Sequence, residues 1–141
     1  MDRIMEEKLK RNLDVFTNLV GCAQLKISRE IYPYSEYRDD PQKYNDQQWD
    51  YADKPGVYIF VSNDKDNPLY IGKCEGFLGN RIFAHLGKTG KGTFPNAEGW
   101  IKSNIEKVCF ITIPVDPPQL APVLESFLIY KLTPENNKEG K

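Results

Sequence analysis

Cysteine is scarce in this chain, and odd in number. Cys22, Cys74 and Cys109 lie far apart with no C-x-x-C spacing. That excludes a disulfide framework and a zinc ribbon, and points to a reducing, cytoplasmic compartment. Histidine is scarcer still: His85 stands alone, which excludes sites built on two or more imidazoles. No segment approaches the roughly 20 apolar residues of a membrane span, and no N-terminal stretch reads as a signal peptide. A soluble protein with no membrane partner is expected. Neither sign of charge dominates, with 19 Lys and Arg against 20 Asp and Glu, so the chain is not a general coat for a polyanion. Internal repeats and low-complexity tracts are also missing.

What is present suits one domain. A length of 141 residues is enough for a real core without disulfide staples. The charge is uneven along it. Residues 1–55 hold nine Lys and Arg against eleven Asp and Glu, whereas residues 65–107 hold seven against four. The positive excess therefore falls in the middle of the chain, as a polyanionic ligand would favour; an ordinary solvated surface is the plainer reading.

The first twenty residues carry Ile4, Met5, Leu9, Leu13, Phe16, Leu19 and Val20 at helical spacing, and Gly21 is a natural stop. Leu25 to Ile27 reads as a short strand. Residues 32–55 mix Tyr32, Tyr34, Tyr37, Tyr44, Trp49 and Tyr51 with prolines and acids, and these aromatics are expected to pack over the domain. Val57, Ile59 and Val61 alternate with Tyr58, Phe60 and Ser62, the pattern of a half-buried strand. A second strand carries Leu69 and Ile71 on either side of Tyr70, which turns the tyrosine away from both aliphatics. Asn63 to Pro68 between them is dense in turn formers. A hairpin of the two strands places Tyr58 and Tyr70 on one face.

A short helix is expected over residues 79–87. At about 100° per residue, Ile82, Phe83 and Leu86 share one side while Arg81 and His85 pair on the other. Trp100 to Lys107 reads as a second helix or a turn. A third strand follows at Val108 to Ile113. Asp116-Pro117-Pro118 then opens a helix to about Leu132, with Asp116 as N-cap and Pro117 at its first position. Glu125 lies inside that helix among Leu120, Leu124, Phe127, Leu128, Ile129 and Leu132. The helix should be buried on most sides, so the carboxylate needs a cation, a donor or a metal ion. Pairing with Arg81 or Lys73 would serve structure alone.

Two motif-like stretches carry little. Gly87-Lys88-Thr89 imitates the end of a P-loop, but Ile82 occupies the position of the required glycine and a helix precedes it. Cys74 beside Lys73 lacks a positioned base and reads as a small packing residue.

Gly56-Val57-Tyr58 and Tyr70-Ile71-Gly72, followed by Lys73, Arg81, His85, Glu125 and Pro134-Glu135-Asn136-Asn137, resemble in order the core of the GIY-YIG nucleases. Val57 stands where that family usually has Ile. The resemblance covers residues 55 to 137, and the spacing of Arg81 and His85 is similar to its restriction-type branch. It implies a metal-dependent DNA endonuclease. Glu125 would hold one divalent cation, Mg²⁺ or Mn²⁺, with open water positions. Arg81 would contact the scissile phosphate and stabilise its transition state. Tyr58 is implied as general base for water and Tyr70 as a phosphate contact; His85, an imidazole whose ordinary pKa lies near neutrality, is the other candidate base. Lys73 and Gly72 would lie against the substrate. Asn137, with Asn136 as alternative, would brace the site by hydrogen bonds.

The fold expected is α/β (α+β): a small, mainly antiparallel three-stranded sheet flanked by helices. Residues 1–54 form an N-terminal extension, and residues 55–141 the nuclease-like domain. Without a separate DNA-reading module, recognition falls to the extension, the loops of residues 86–107, a homodimer or another subunit. The competing class is a non-cleaving nucleic-acid or protein interaction module on the same scaffold.

Overall fold

Strand β2 (Gly56–Ser62) is the centre of the computed structural model, which describes residues 3–29, 32–33, 49–62, 67–85, 108–135 and 137. Antiparallel neighbours flank it on both sides: β3 (Pro68–Cys74) and β4 (Val108–Pro114). The two-residue strand β1 (Tyr32–Pro33) adds to the outer edge of β4, giving the order β1-β4-β2-β3. The sheet is antiparallel as expected, but four-stranded. A two-residue strand ending in proline carries no periodicity, so sequence pattern alone cannot reveal it.

All seven residues of β2 are buried, which corrects the half-buried reading. The alternation instead sorts side chains into two cores. Val57, Ile59 and Val61 join Ile71, Ile111 and Ile113 on one face. Tyr58 and Phe60 join Phe110 and Val108 on the other. Leu69 was expected beside Ile71, yet it packs with Tyr70 in the second core. The register slips between Phe60 and Val61, and a bulge of this kind reverses the facing of the residues beyond it.

Helices α1 (Arg3–Val20), α2 (Leu78–His85) and α3 (Leu120–Leu132) cover the two faces. The aliphatic face receives Leu9, Leu13 and Phe16 of α1 with Ala121, Leu124, Leu128 and Leu132 of α3. Phe16 and Phe127 join the two helices at 5.3 Å. Helix α1 ends where Gly21, at φ 70°, bonds back to the Thr17 carbonyl. Leu19 and Val20, expected in its buried stripe, are exposed. The aromatic face receives Leu78 and Ile82 of α2, with Tyr32 and Trp49 from the extension.

Three local expectations are corrected. Residues 25–27 form no strand, although Ser28 beside them bonds the Thr112 carbonyl. Helix α3 begins at Leu120, not at Pro117: Asp116 is no N-cap, and Pro117 and Pro118 lie in turns whose carbonyls take the N–H groups of Leu120 and Ala121. Proline at 122 is tolerated because a first-turn N–H has no intrahelical partner. Helix α3 also exposes Val123 and Tyr130, so it is not buried on most sides. Tyr34, Tyr37, Tyr44, Asn136, the loop of residues 63–66 and everything expected over 86–107 lie outside the described residues.

Candidate active site

The two tripeptides meet through one contact. Tyr58 of β2 and Gly72 of β3 are register partners, and the hydroxyl end of the Tyr58 ring packs against Gly72. A Cβ at position 72 would overlap the ring carbon and hydroxyl of Tyr58, so only glycine fits. Gly56 answers the same need on the opposite neighbour, where a Cβ would strike the Ile113 carbonyl. The glycines therefore set how closely the strands and the phenol can pack.

Tyr58 is fully buried, yet its hydroxyl is not stranded in an apolar core. The guanidinium of Arg81 on α2 is close enough to act on it by charge and as a donor. Burial drives the phenol's ionisation far above its ordinary value, with Tyr70 and Glu125 adding to that rise. The Arg81 charge and hydrogen bond pull the other way. Tyr58 is accordingly a neutral phenol. The same pairing raises Arg81, mainly through Tyr58, so the guanidinium is permanently charged. Arg81 itself remains exposed at the surface, anchored below and open above.

Tyr70 lies on the same face as Tyr58, with ring centroids 6.4 Å apart, and stacks on Phe60 at 6.2 Å. The shared face expected for the two tyrosines is what the register produces. Lys73 pairs with Val57 and so leaves β3 toward the aliphatic side. There its ammonium meets Glu75 at 3.1 Å. Glu125, half-buried on α3, is raised by burial while Lys73 and Arg81 lower it. Both cations act on this one carboxylate, one from each side of β3.

Asn137 closes the outer edge of β3. Its Nδ2 donates to the Ile71 carbonyl at 2.8 Å, and its Oδ1 accepts the Ile71 N–H at 2.7 Å. A bidentate amide of this kind replaces a missing strand at that position. Glu135 extends the closure: its N–H reaches the Pro68 carbonyl at 3.2 Å, and its carboxylate accepts from Asn67 at 2.9 Å. Tyr70-Ile71-Gly72 is thus held on both sides.

The first N–H groups of α2 are also taken. Leu78 and Gly79 donate to the carbonyls of Lys54 and Ala52 at 2.8 Å each, which fixes the helix that carries Arg81. Cys74 packs against the aromatic core, and its thiol donates to the Phe77 carbonyl at 3.3 Å, the packing role expected of it. His85 is the last residue of α2, one turn beyond Arg81; its side chain lies outside the description.

A further knot holds the extension and carried no sequence signal. Asp50 accepts two bonds from the Arg29 side chain and one from its N–H, at 2.7 to 3.1 Å. The Asp50 N–H donates to the Tyr32 hydroxyl, and its carbonyl accepts from buried Thr112. Its partners are scattered in sequence, so no spacing marks them.

Tyr58, Tyr70, Gly72, Arg81 and Glu125 are drawn together, with Lys73 on the flank and Asn137 behind. An exposed guanidinium, whose charge also reaches a half-buried carboxylate, suits an anionic group that needs charge stabilisation. No helix among the described residues is long and apolar enough to cross a membrane. Compared with known proteins, the chain matches no family model and no curated protein.

Proposed function

We propose that this chain is a DNA endonuclease of the GIY-YIG type that hydrolyses a phosphodiester with the help of one divalent cation. The observation that carries the reading is the coupling of the exposed Arg81 guanidinium to the buried Tyr58 hydroxyl, which packs against a glycine that nothing else can replace. A domain holding an arginine only by surface packing would have no use for so constrained a support.

Arg81 grips the non-bridging oxygens of the scissile phosphate in a bidentate contact and stabilises the charge that builds there. Tyr58 does not reach the substrate; it is a positioning residue that fixes the guanidinium. Tyr70, half-buried beside it, donates its hydroxyl to the phosphate. A phenol raised by burial is a poor proton acceptor near neutrality, so the base is His85. It takes the proton from water as the phosphorus bond to the 3′ oxygen breaks.

Glu125 is the residue that would hold the cation. Among the described residues no three His, Cys, Asp or Glu are grouped so as to hold a metal ion, so Glu125 is proposed to act with water and substrate oxygens as the other ligands. That donor set fits Mg²⁺, which keeps several waters and takes its remaining oxygens from phosphate. When bound, such an ion supplies charge neutralisation at the phosphate and the departing oxygen.

The test is nicking and linearisation of supercoiled plasmid with Mg²⁺ or Mn²⁺ and with EDTA, beside Glu125→Gln. Metal-dependent cutting that the variant loses supports the reading. Binding without cutting under all conditions replaces it with a non-cleaving interaction module. Tyr58→Phe should lower turnover yet keep the wild-type pH profile, whereas His85→Ala should flatten its acidic limb. A Tyr58→Phe enzyme with a shifted limb would return the base to Tyr58.

A further inference from the structure

Phe77 is 55% exposed, immediately before α2 and four residues ahead of Arg81. An exposed phenylalanine ring on a loop is common; this one stands on a backbone that cannot easily move. Its carbonyl accepts the N–H of Asn80 at 3.1 Å, the N–H of Arg81 at 3.4 Å and the Cys74 thiol at 3.3 Å. The next two N–H groups, Leu78 and Gly79, are tied to the carbonyls of residues 54 and 52. Among the described residues no aromatic contact engages the ring. Phe77 immediately precedes the helix that carries Arg81, and its carbonyl accepts the Arg81 N–H.

The chemistry around the ring selects its partner. Arg81, exposed, follows Phe77 by four residues, and Lys73, its side chain 38% exposed, precedes it by four. Glu75 partly offsets Lys73 through their ion pair, which leaves Arg81 as the dominant charge. An apolar peptide or a lipid tail would have to desolvate that guanidinium. A nucleic acid satisfies both groups, placing a phosphate on Arg81 and a base face on the ring.

We propose that Phe77 is a stacking platform for an unpaired or unstacked nucleobase, so that the chain prefers DNA with a flipped, bulged or single-stranded nucleotide next to the phosphate held by Arg81. The inference rests on the endonuclease reading for its substrate, but not on cleavage. A paired base keeps its faces covered by its neighbours, and a ring fixed on a rigid backbone cannot reach round them. A base already free of the stack costs nothing to dock.

The experiment measures binding by the full chain in EDTA, where no cutting intervenes. The probes are short fluorescein-labelled duplexes, one fully paired and one carrying a single unpaired 2-aminopurine. Wild-type protein should bind the bulged duplex more tightly and quench the 2-aminopurine. Phe77→Ala should lose roughly 5- to 100-fold affinity for that duplex, little for the paired one, and no thermal stability. Phe77→Trp should restore both affinity and quenching. Equal binding of the bulged duplex by wild type and Phe77→Ala would overturn the proposal, even if the wild type cuts plasmid. Phe77-dependent binding by a chain that never cuts would sink the endonuclease reading and leave the platform standing. Failure of wild type to bind either duplex would overturn both.

Discussion

The two faces of β2 differ in what they bury. On one side Val57, Ile59 and Val61 meet only aliphatic and aromatic carbon from α1 and α3. On the other, Tyr58 and Phe60 meet a layer whose rings carry hydroxyl and indole groups, from Tyr32, Trp49 and Tyr70. An aliphatic core asks only for volume. A core with polar atoms asks for a specific partner at each one, and here one partner is the guanidinium of Arg81. Packing alone satisfies the first face; the second also needs partners for its polar atoms.

That contrast breaks most sharply in a crossed pair of variants. Arg81→Ala should reduce kcat by about 10²–10³-fold and cost about 1–3 kcal/mol of stability, because the buried Tyr58 hydroxyl loses its partner. Ile59→Ala, fully buried on the aliphatic face, should cost about 2–5 kcal/mol of stability while leaving kcat per folded molecule intact. Urea unfolding beside plasmid cleavage reads both. If Ile59→Ala instead lost turnover while remaining folded, the division of labour between the faces would be wrong.

Gly72→Ala probes the contact that joins strand to site. The added methyl meets the Tyr58 phenol, which is pinned by Arg81 and cannot swing aside. Overpacking of this kind costs roughly 1–3 kcal/mol, and displacing the phenol would also misplace Arg81. In a Tyr58→Ala background the same substitution should cost far less, so a double-mutant cycle should show strong coupling. Additive losses would mean that Gly72 serves β3 alone.

Asn137→Ala should be milder. It removes two hydrogen bonds to Ile71, worth about 1 kcal/mol each at most once solvent replaces them at a partly exposed edge. Faster amide exchange at Ile71, with a several-fold loss of turnover, is the expected outcome. An exchange rate equal to wild type would show that the clasp is not closed in solution.

How much of this was legible before the structure depends on the kind of signal. The hairpin, α1 and α2 follow from periodicity, because a repeated apolar spacing reports a repeated burial. The facing of Tyr58 and Tyr70 was readable for the same reason, and Asn137 was placed by its position in the motif. Other features depend on single tertiary contacts. Strand β1 exists because Tyr32 and Pro33 pair with Phe110 and Cys109, the Leu69 reversal because one register slips, and the Arg29–Asp50 knot because two loops meet. Nothing in local pattern announces a partner twenty residues away. Phe77 went unnoticed because exposure of an isolated aromatic is invisible to periodicity.

The smallest effects come from two carboxylates on opposite sides of their ordinary range. Asp50 is held down at about 2, chiefly by its hydrogen bonds with Arg29; its side chain is 14% exposed and that of Arg29 85%. Its unfolded form binds a proton more readily than its folded form, so stability rises with pH across that window. The contribution is complete above about pH 4 and is lost as pH falls through about 2. Glu125 is raised, first by burial, and the sign reverses. There the folded form binds the proton more readily, and stability declines as pH climbs past the usual carboxylate value. Melting temperature against pH should therefore separate the variants. Asp50→Asn should be less stable than wild type at neutral pH and converge with it in strong acid. Glu125→Gln should be slightly more stable at neutral pH, equal to wild type in acid, and inactive throughout. A gain in stability bought with activity is what a residue kept for chemistry produces. A loss of stability in Glu125→Gln at neutral pH would instead make Glu125 a structural partner of Lys73 and Arg81.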